Sequence, residues 1–395
     1  MNRLTIAIVL FCISGLALTG QSASSDTSVY LITCAPGNEI YSIYGHSALR
    51  VVIPSSGTDL VYNWGVFDFR TKNFAWKFAR GRLNYMLGVY PYDMFLRDYM
   101  LERRSVISQR VNIEKEDLDM LMALLNNNLR PENIFYRYDF LYDNCATRIR
   151  DLFEKVYSSR LIYPPDERKD IPTFREKIAE YQRYYPWLNA GIDFLLGTPV
   201  DKKAFFRDRM FLPEDLQKNL SKAVVSRNRL MIPLLGAPEV ILEFDSHQVM
   251  PSALTSPFLV LSLLFVVILV LSAKLNRTLL NYADILIFSV FSILSLLMIF
   301  FSFFTDHEQT KWNLNLIWSN PIVPFCLASL VLNKNWSYLF RMVSWLSVIF
   351  ITVALILPGR INMALIPVVM IMALRSAARA GMLPGIFSID ENGRV

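Results

Sequence analysis

The chain has 395 residues, enough for a sizeable globular domain and a second region of comparable length. At 53% hydrophobic and 19% charged residues it is too apolar for an ordinary soluble protein. The net charge of +6 comes from Lys and Arg scattered among acids, so nucleic-acid binding has no basic stripe to rest on.

Residues 1–23 read as a secretory signal peptide: Arg3 gives a positive start, residues 6–18 an apolar stretch, and Gln21-Ser22-Ala23 a small-residue exit. The alternative is an uncleaved first membrane helix, although the apolar stretch falls short of the ~20 residues that a span needs. Either way residue 24 onward is exported. A strand over 29–33 leads into the turn signal Cys34-Ala35-Pro36-Gly37. Residues 41–53 end in a β-branched run, 54–59 form a loop, and 60–69 make an aromatic strand, so the pair reads as a hairpin with His46 at its open end. Leu118, Leu121, Met122 and Leu125 repeat at helical spacing over 115–127, and 136–141 is extended. Asp143-Asn144 then supply cap residues for a helix whose apolar face is Ile149, Leu152, Phe153 and Val156. Cys145 thus opens a helix directly after a strand. Residues 24–157 are assigned to a periplasmic catalytic domain and 158–250 to a helical connector along the membrane surface.

Within 251–380, segments near 252–272, 283–304, 317–332, 338–358 and 362–373 are apolar enough to be read as membrane helices, the last being short. Lys274, Arg277, Lys334, Arg341, Arg375 and Arg379 fall on one side of this arrangement, and only Lys311 and Arg360 on the other. Orientation by positive charge puts the first group, and the tail 381–395, in the cytoplasm.

A cysteine at a helix start meets unpaired N–H groups and the positive end of the helix dipole, which favour the thiolate and can receive an oxyanion. His46 is the natural base among three histidines, because small residues flank it at a strand entrance; His247 stands in a polar stretch before the first span, and His307 in an outer loop. Asn63 on the partner strand is the candidate to hold the imidazole, with Asp68 as runner-up. Arg148, one turn beyond Cys145, is suited to a substrate phosphate or carboxylate. Against these stand blander readings: Cys145 as a buried structural thiol or bridged to Cys34, His46 as a core histidine, Arg148 as a solvated helix residue. No His/Cys/Asp group has metal-ligand spacing, and nothing calls for a cofactor. The fold class expected is α+β: a permuted papain-like or NlpC-type thiol domain, then a bundle of about five transmembrane helices.

Three segments carry a closer resemblance: Tyr44-Gly45-His46-Ser47-Ala48-Leu49-Arg50-Val51, Tyr62-Asn63-Trp64-Gly65-Val66-Phe67-Asp68-Phe69, and Tyr138-Asp139-Phe140-Leu141-Tyr142-Asp143-Asn144-Cys145-Ala146-Thr147-Arg148. With Gly81, Tyr85, Arg130-Pro131-Glu132-Asn133 and the outer loop of His307, Asn313, Asn315 and Asn320-Pro321, the chain resembles Bacteroides-type lipoprotein N-acyltransferases. The resemblance implies a multi-pass protein of the bacterial inner membrane. Cys145 would take an acyl chain from a membrane phospholipid as a thioester and pass it to the α-amino group of a diacylated lipoprotein, with His46 as base. It also points to Tyr44 and His307, with Arg148, as substrate-binding residues. The rival functions are a papain-like amidase of envelope substrates and a non-catalytic envelope-assembly protein.

Overall fold

A computed structural model describes residues 26–245 and 250–383. The expected signal segment 1–23, His247 and most of the tail lie outside the described residues. The alternating apolar residues of the first half form six strands of one sheet: β1 (Ser28–Cys34), β2 (His46–Ile53), β3 (Thr58–Val66), β4 (Asn84–Pro91), β5 (Val106–Arg110) and β6 (Phe135–Arg137). Between and after them come α1 (Phe74–Ala79), α2 (Tyr92–Leu101), α3 (Lys115–Asn128) and α4 (Cys145–Tyr157). Because side chains alternate across a strand, the two faces carry separate cores. Leu31, Leu49, Val51, Tyr62 and Trp64 pack with Ile149 and Phe153 of α4 on one face. On the other, Ile32, Cys34, Ala48 and Val61 pack under Phe95 of α2.

The stretch 158–250 departs from its reading as a helical connector. It contains α5 (Phe174–Gln182), α6 (Pro186–Leu195) and α7 (Pro213–Leu220), but also a small sheet of β7 (Leu161–Ile162), β8 (Val224–Arg227) and β9 (Leu230–Pro233). A final strand, β10 (Glu239–Leu242), pairs with β5 and completes a seven-stranded sheet in the order β10-β5-β1-β2-β3-β4-β6. Leu216, Leu220 and Val225 are buried in the same core as α4. Short strands of this kind carry almost no period, and their apolar residues only make sense once the main sheet exists to receive them.

The apolar second half forms α8 (Pro257–Lys274), α9 (Arg277–Phe303), α10 (Ile322–Val331), α11 (Ser337–Ile356) and α12 (Ile366–Arg379). Among the described residues, four stretches are long and apolar enough to cross a membrane: α8, α9, Leu314–Val331 (which ends with α10) and α11. The fifth expected span, 362–373, falls on α12, which with the 3-10 turn Met363–Leu365 ahead of it runs from Asn362, beside the sheet domain, to Arg379, beside the start of α9. It packs inside the bundle and closes it electrostatically. Arg375 donates from Nε and Nη2 to both oxygens of Asp284 on α9 (2.6 and 2.8 Å) and from Nη1 to Ser272 Oγ on α8 (2.9 Å). Arg379 donates to the same carboxylate and to Asn281 Oδ1. Arg375 and Asp284 are fully buried.

The sheet domain sits on the bundle through three connections at one end. Trp187 Nε1 donates to the Thr255 carbonyl ahead of α8 (3.0 Å), and Asn362 Nδ2, between α11 and α12, to Asn189 Oδ1 (2.9 Å). The loop after α9 makes the third, with Gln309 Nε2 donating to Asp139 Oδ1 (2.7 Å) and Asp306 accepting from Arg82 Nε (2.8 Å) and Arg137 Nη1 (3.1 Å). It presses so closely that a Cβ on Gly197 would lie 1.7 Å from the Lys311 carbonyl oxygen. The charged turns at Lys274, Arg277, Lys334 and Arg341 close the helices at the opposite end.

Replacing Asp284 with Ala strands two guanidinium groups in an apolar bundle, a change that costs ~3–5 kcal/mol for a buried ion pair. Thermal unfolding of the full chain in detergent, followed by tryptophan fluorescence, should show a clearly lower midpoint. An unchanged midpoint would mean that water, not the carboxylate, neutralises the cluster.

Candidate active site at the start of the fourth helix

Local chemistry fixes Cys145 as the first residue of α4. Asn144 is the N-cap: its Oδ1 accepts from the N–H groups of Ala146 (2.8 Å) and Thr147 (2.9 Å), while Thr147 Oγ1 accepts from the Asn144 N–H (2.7 Å). The Asn144 amide Nδ2 donates to two further carbonyls, Phe140 (2.7 Å) and Phe211 (2.9 Å). Upstream, the backbones of Asp139 and Asp143 exchange two hydrogen bonds of 3.0 Å, which closes the loop that delivers the cysteine.

His46 is placed by the sheet. Gly45 has φ +78°, and a Cβ there would approach the Cys34 carbonyl oxygen to 2.8 Å, so the position before the histidine needs glycine. β2 pairs with β1 from His46 onward (His46 opposite Cys34) but with β3 only from Leu49, opposite Tyr62. The start of β2 is therefore splayed from β3, where Gly65 has φ +98° and the β3–β4 register shifts between Trp64 and Val66. Continuing the register puts Asn63 diagonally across from His46 on the same face. Its Oδ1 lies 2.6 Å from His46 Nε2. With the amide oxygen accepting, Nε2 carries the proton and Nδ1 keeps the free lone pair.

The sulfur approaches this splayed edge from the face covered by α4. Burial pushes the Cys145 thiol up to about 11, against the opposing pull of the backbone N–H groups of Ser47, Ala146 and Cys145 that lie against it. Loss of water around the imidazole pulls His46 down to about 4; the Asn63 bond works against this and the Arg104 guanidinium adds to it. The thiolate expected from a helix start is thus not the resting state, because burial outweighs the donors. A neutral thiol and a neutral imidazole flank the start of β2, and among the described residues no hydrogen bond joins them. Cys34 and Cys145 are both free thiols.

The other candidates have partners of their own. Arg148 grips Asp143 with both prongs of its fork (Nε–Oδ1 2.6 Å, Nη2–Oδ2 2.9 Å) and stacks 3.6 Å over the Tyr136 ring. That pairing fills the fork reserved from sequence for a substrate anion. Tyr44 is half-buried, its ring 4.7 Å from that of Phe140 and its hydroxyl accepting from Gln182 Nε2 (2.6 Å). His307 touches the sheet domain away from the cysteine, with Nε2 3.2 Å from the Phe78 carbonyl oxygen. Asp68 is turned to Arg70 at 2.9–3.2 Å. Arg104 is the residue that sequence reasoning missed. Its buried guanidinium donates to the Ala35 carbonyl (2.8 Å) and to Glu102 (2.8 Å), in the part of the fold that holds His46 and Cys34. Nothing in its local sequence marks it, since only the β1–β5 pairing brings it there. No group of three or more His, Cys, Asp or Glu residues suited to a metal occurs among the described residues.

Two family models match the chain. One, described as the Lnb N-terminal periplasmic domain, covers residues 17–184, and the other, the Lnb transmembrane domain, covers residues 249–382. No curated protein and no solved structure gives a match.

A thiol raised to about 11 sets a pH dependence. Iodoacetamide labelling of Cys145, read by peptide mass mapping, should rise about tenfold per pH unit from about 7 to 10 without a plateau. A plateau reached below about pH 8 would mean that the resting thiol is already ionised.

Proposed function

Since the chain belongs to the Lnb family, with that family's periplasmic domain followed by its transmembrane domain, we propose that it is a lipoprotein N-acyltransferase of the bacterial inner membrane, with Cys145 as nucleophile and His46 as base. The observation that carries this reading is the bond from Gln309, in the loop after α9, to Asp139, which ties the loop delivering Cys145 to the bundle. A thiol held at the membrane face suits two substrates that are both confined to the outer leaflet, because confinement raises their effective concentration. The helix on an antiparallel sheet, cysteine at its start and histidine on the sheet, fits a permuted papain-like domain. The tail beyond α12 is then cytoplasmic, in keeping with the charged turns at the far end of the bundle.

In the first half-reaction the Cys145 sulfur bonds to an ester carbonyl carbon of a phospholipid while His46 Nδ1 takes the thiol proton. The N–H groups of Cys145 and Ser47 receive the oxyanion. Collapse breaks the ester C–O bond, the imidazolium returns the proton to the departing alkoxide, and a lysophospholipid leaves a thioester behind. In the second, the α-amino group of an S-diacylglyceryl cysteine attacks the thioester. His46 takes the amine proton and gives it to the leaving Cys145 sulfur, and an amide results. A resting thiol with a high pKa suits this sequence: the proton moves only when a carbonyl is in place, and stray thiolate chemistry is suppressed. Asn63 holds the ring tautomer that leaves Nδ1 basic. Arg148 acts through Asp143 to hold the turn, Tyr44 with Phe140 supplies an apolar wall for an acyl chain, and His307 helps seat the outer loop.

Intact-mass analysis after brief incubation with phospholipid tests the scheme directly. Wild type should gain one fatty-acyl mass, lose it on addition of a diacylated lipopeptide, and Cys145→Ala should gain none. Turnover of an amide substrate without any acyl adduct would favour the amidase reading instead. His46→Ala should slow adduct formation by about 10²–10⁴. An adduct that forms at the wild-type rate in this variant would remove His46 from the mechanism.

A further inference from the structure

Beyond the reacting groups, the segment between β3 and β4 presents an unusual surface. Phe69, Trp76 and Phe78 are 59%, 56% and 54% exposed, although Phe67, Phe69, Phe74 and Phe78 stack on one another at ring distances of 4.9–6.2 Å. A soluble domain does not leave such a cluster open without a partner. Its height in the molecule identifies the partner. The Trp76 ring lies 5.4 Å from that of Phe300, in the last turn of the membrane helix α9. In that turn and just beyond it Phe303, Phe304 and Trp312 are also exposed, so the aromatic residues of α1 continue the ring of large side chains at the outer end of the bundle.

Charge follows the same pattern. Residues 66–82 contain Arg70, Lys72, Lys77, Arg80 and Arg82 against one acid, Asp68. Asp68 is engaged by Arg70, and Arg82 by Asp306 of the outer loop, which locks the segment against the bundle. Arg80 lies 5.7 Å from the centre of the Trp76 ring and its Nε, though buried, has no hydrogen-bond partner. Lys72 and Lys77 stand beside the aromatic cluster. Aromatic side chains at the level of a helix end, interleaved with cations, are what an interfacial element facing anionic lipid presents.

We propose that residues 69–82 form a wedge that lies in the outer leaflet beside α9, with Trp76 and Phe78 among the acyl chains and Lys72, Lys77 and Arg80 on anionic headgroup phosphates. The wedge fixes the depth and tilt of the sheet domain at the bilayer surface. It does not depend on the acyl-transfer reading, because it uses neither Cys145 nor His46.

The test uses the full chain carrying Phe78→Cys, spin-labelled at that exposed position and reconstituted in nanodiscs of phosphatidylcholine with or without phosphatidylglycerol. Relative collision rates with oxygen and with a water-soluble nickel complex report depth. The label at 78 should be oxygen-accessible and shielded from nickel, whereas one at Met120 on α3 should show the reverse. Adding Lys72→Glu and Lys77→Glu should move the label at 78 toward water, and more so with phosphatidylglycerol present. A label at 78 as open to nickel as that at 120 overturns the wedge. A shielded label whose depth ignores both the lysines and the anionic lipid overturns the headgroup contacts. Circular dichroism and size-exclusion profiles matching wild type establish that the variants are folded.

Discussion

The side chain of Asn144 is the interaction on which the geometry of the candidate site rests. Both hydrogens of its amide nitrogen and two lone pairs of its oxygen are used: two backbone N–H groups of α4 on one side, the carbonyls of Phe140 and Phe211 on the other. One planar group therefore fixes the first turn of a helix, the loop that enters it and a segment more than sixty residues later. Neither Asp nor Ser offers two donors together with an acceptor, so this job is specific to an amide. The cysteine that follows inherits its position from this arrangement. Its pKa, by contrast, is set by the depth at which the turn is buried.

That difference between position and electrostatics separates what was legible in the sequence from what was not. The hairpin and the helix starting at Cys145 follow from local rules, alternation and capping, whereas the diagonal relation of His46 to Asn63 needs the strand register that the folded sheet supplies. The ionisation state does not follow from local rules either, because it depends on how much protein surrounds the sulfur and the ring, and that mass comes from distant segments. Arg148 shows the same limit. Its spacing from Cys145 is readable, but its capture by Asp143, five residues back and outside the helix, depends on a loop shape that no period announces. Residues 158–250 were hardest to read. Strands of two to four residues and isolated apolar positions acquire meaning only as lids and edges of a sheet already formed.

In the membrane half, composition located the apolar segments, the last of them short. In α12 the residues near 366–374 look like any span, while the final turns carry two arginines. Hydropathy treats those arginines as a boundary, whereas the fold uses them inside the bundle, against Asp284. A single acid in α9 is the cue: a carboxylate at that depth requires a cation from another helix.

This pairing has a consequence for how the chain is assembled. Asp284 belongs to the second of the bundle's helices to be synthesised, and its partners to the last. Through the making of some ninety intervening residues the carboxylate has no cation from α12, so the early helices form an incomplete, electrically unmatched intermediate. Arrival of α12 supplies the missing charge and links the first two helices to the fourth and fifth in one step. The order of synthesis is thereby written into the structure as a latch, and a chain that lacks α12 leaves an acid inside its own membrane domain.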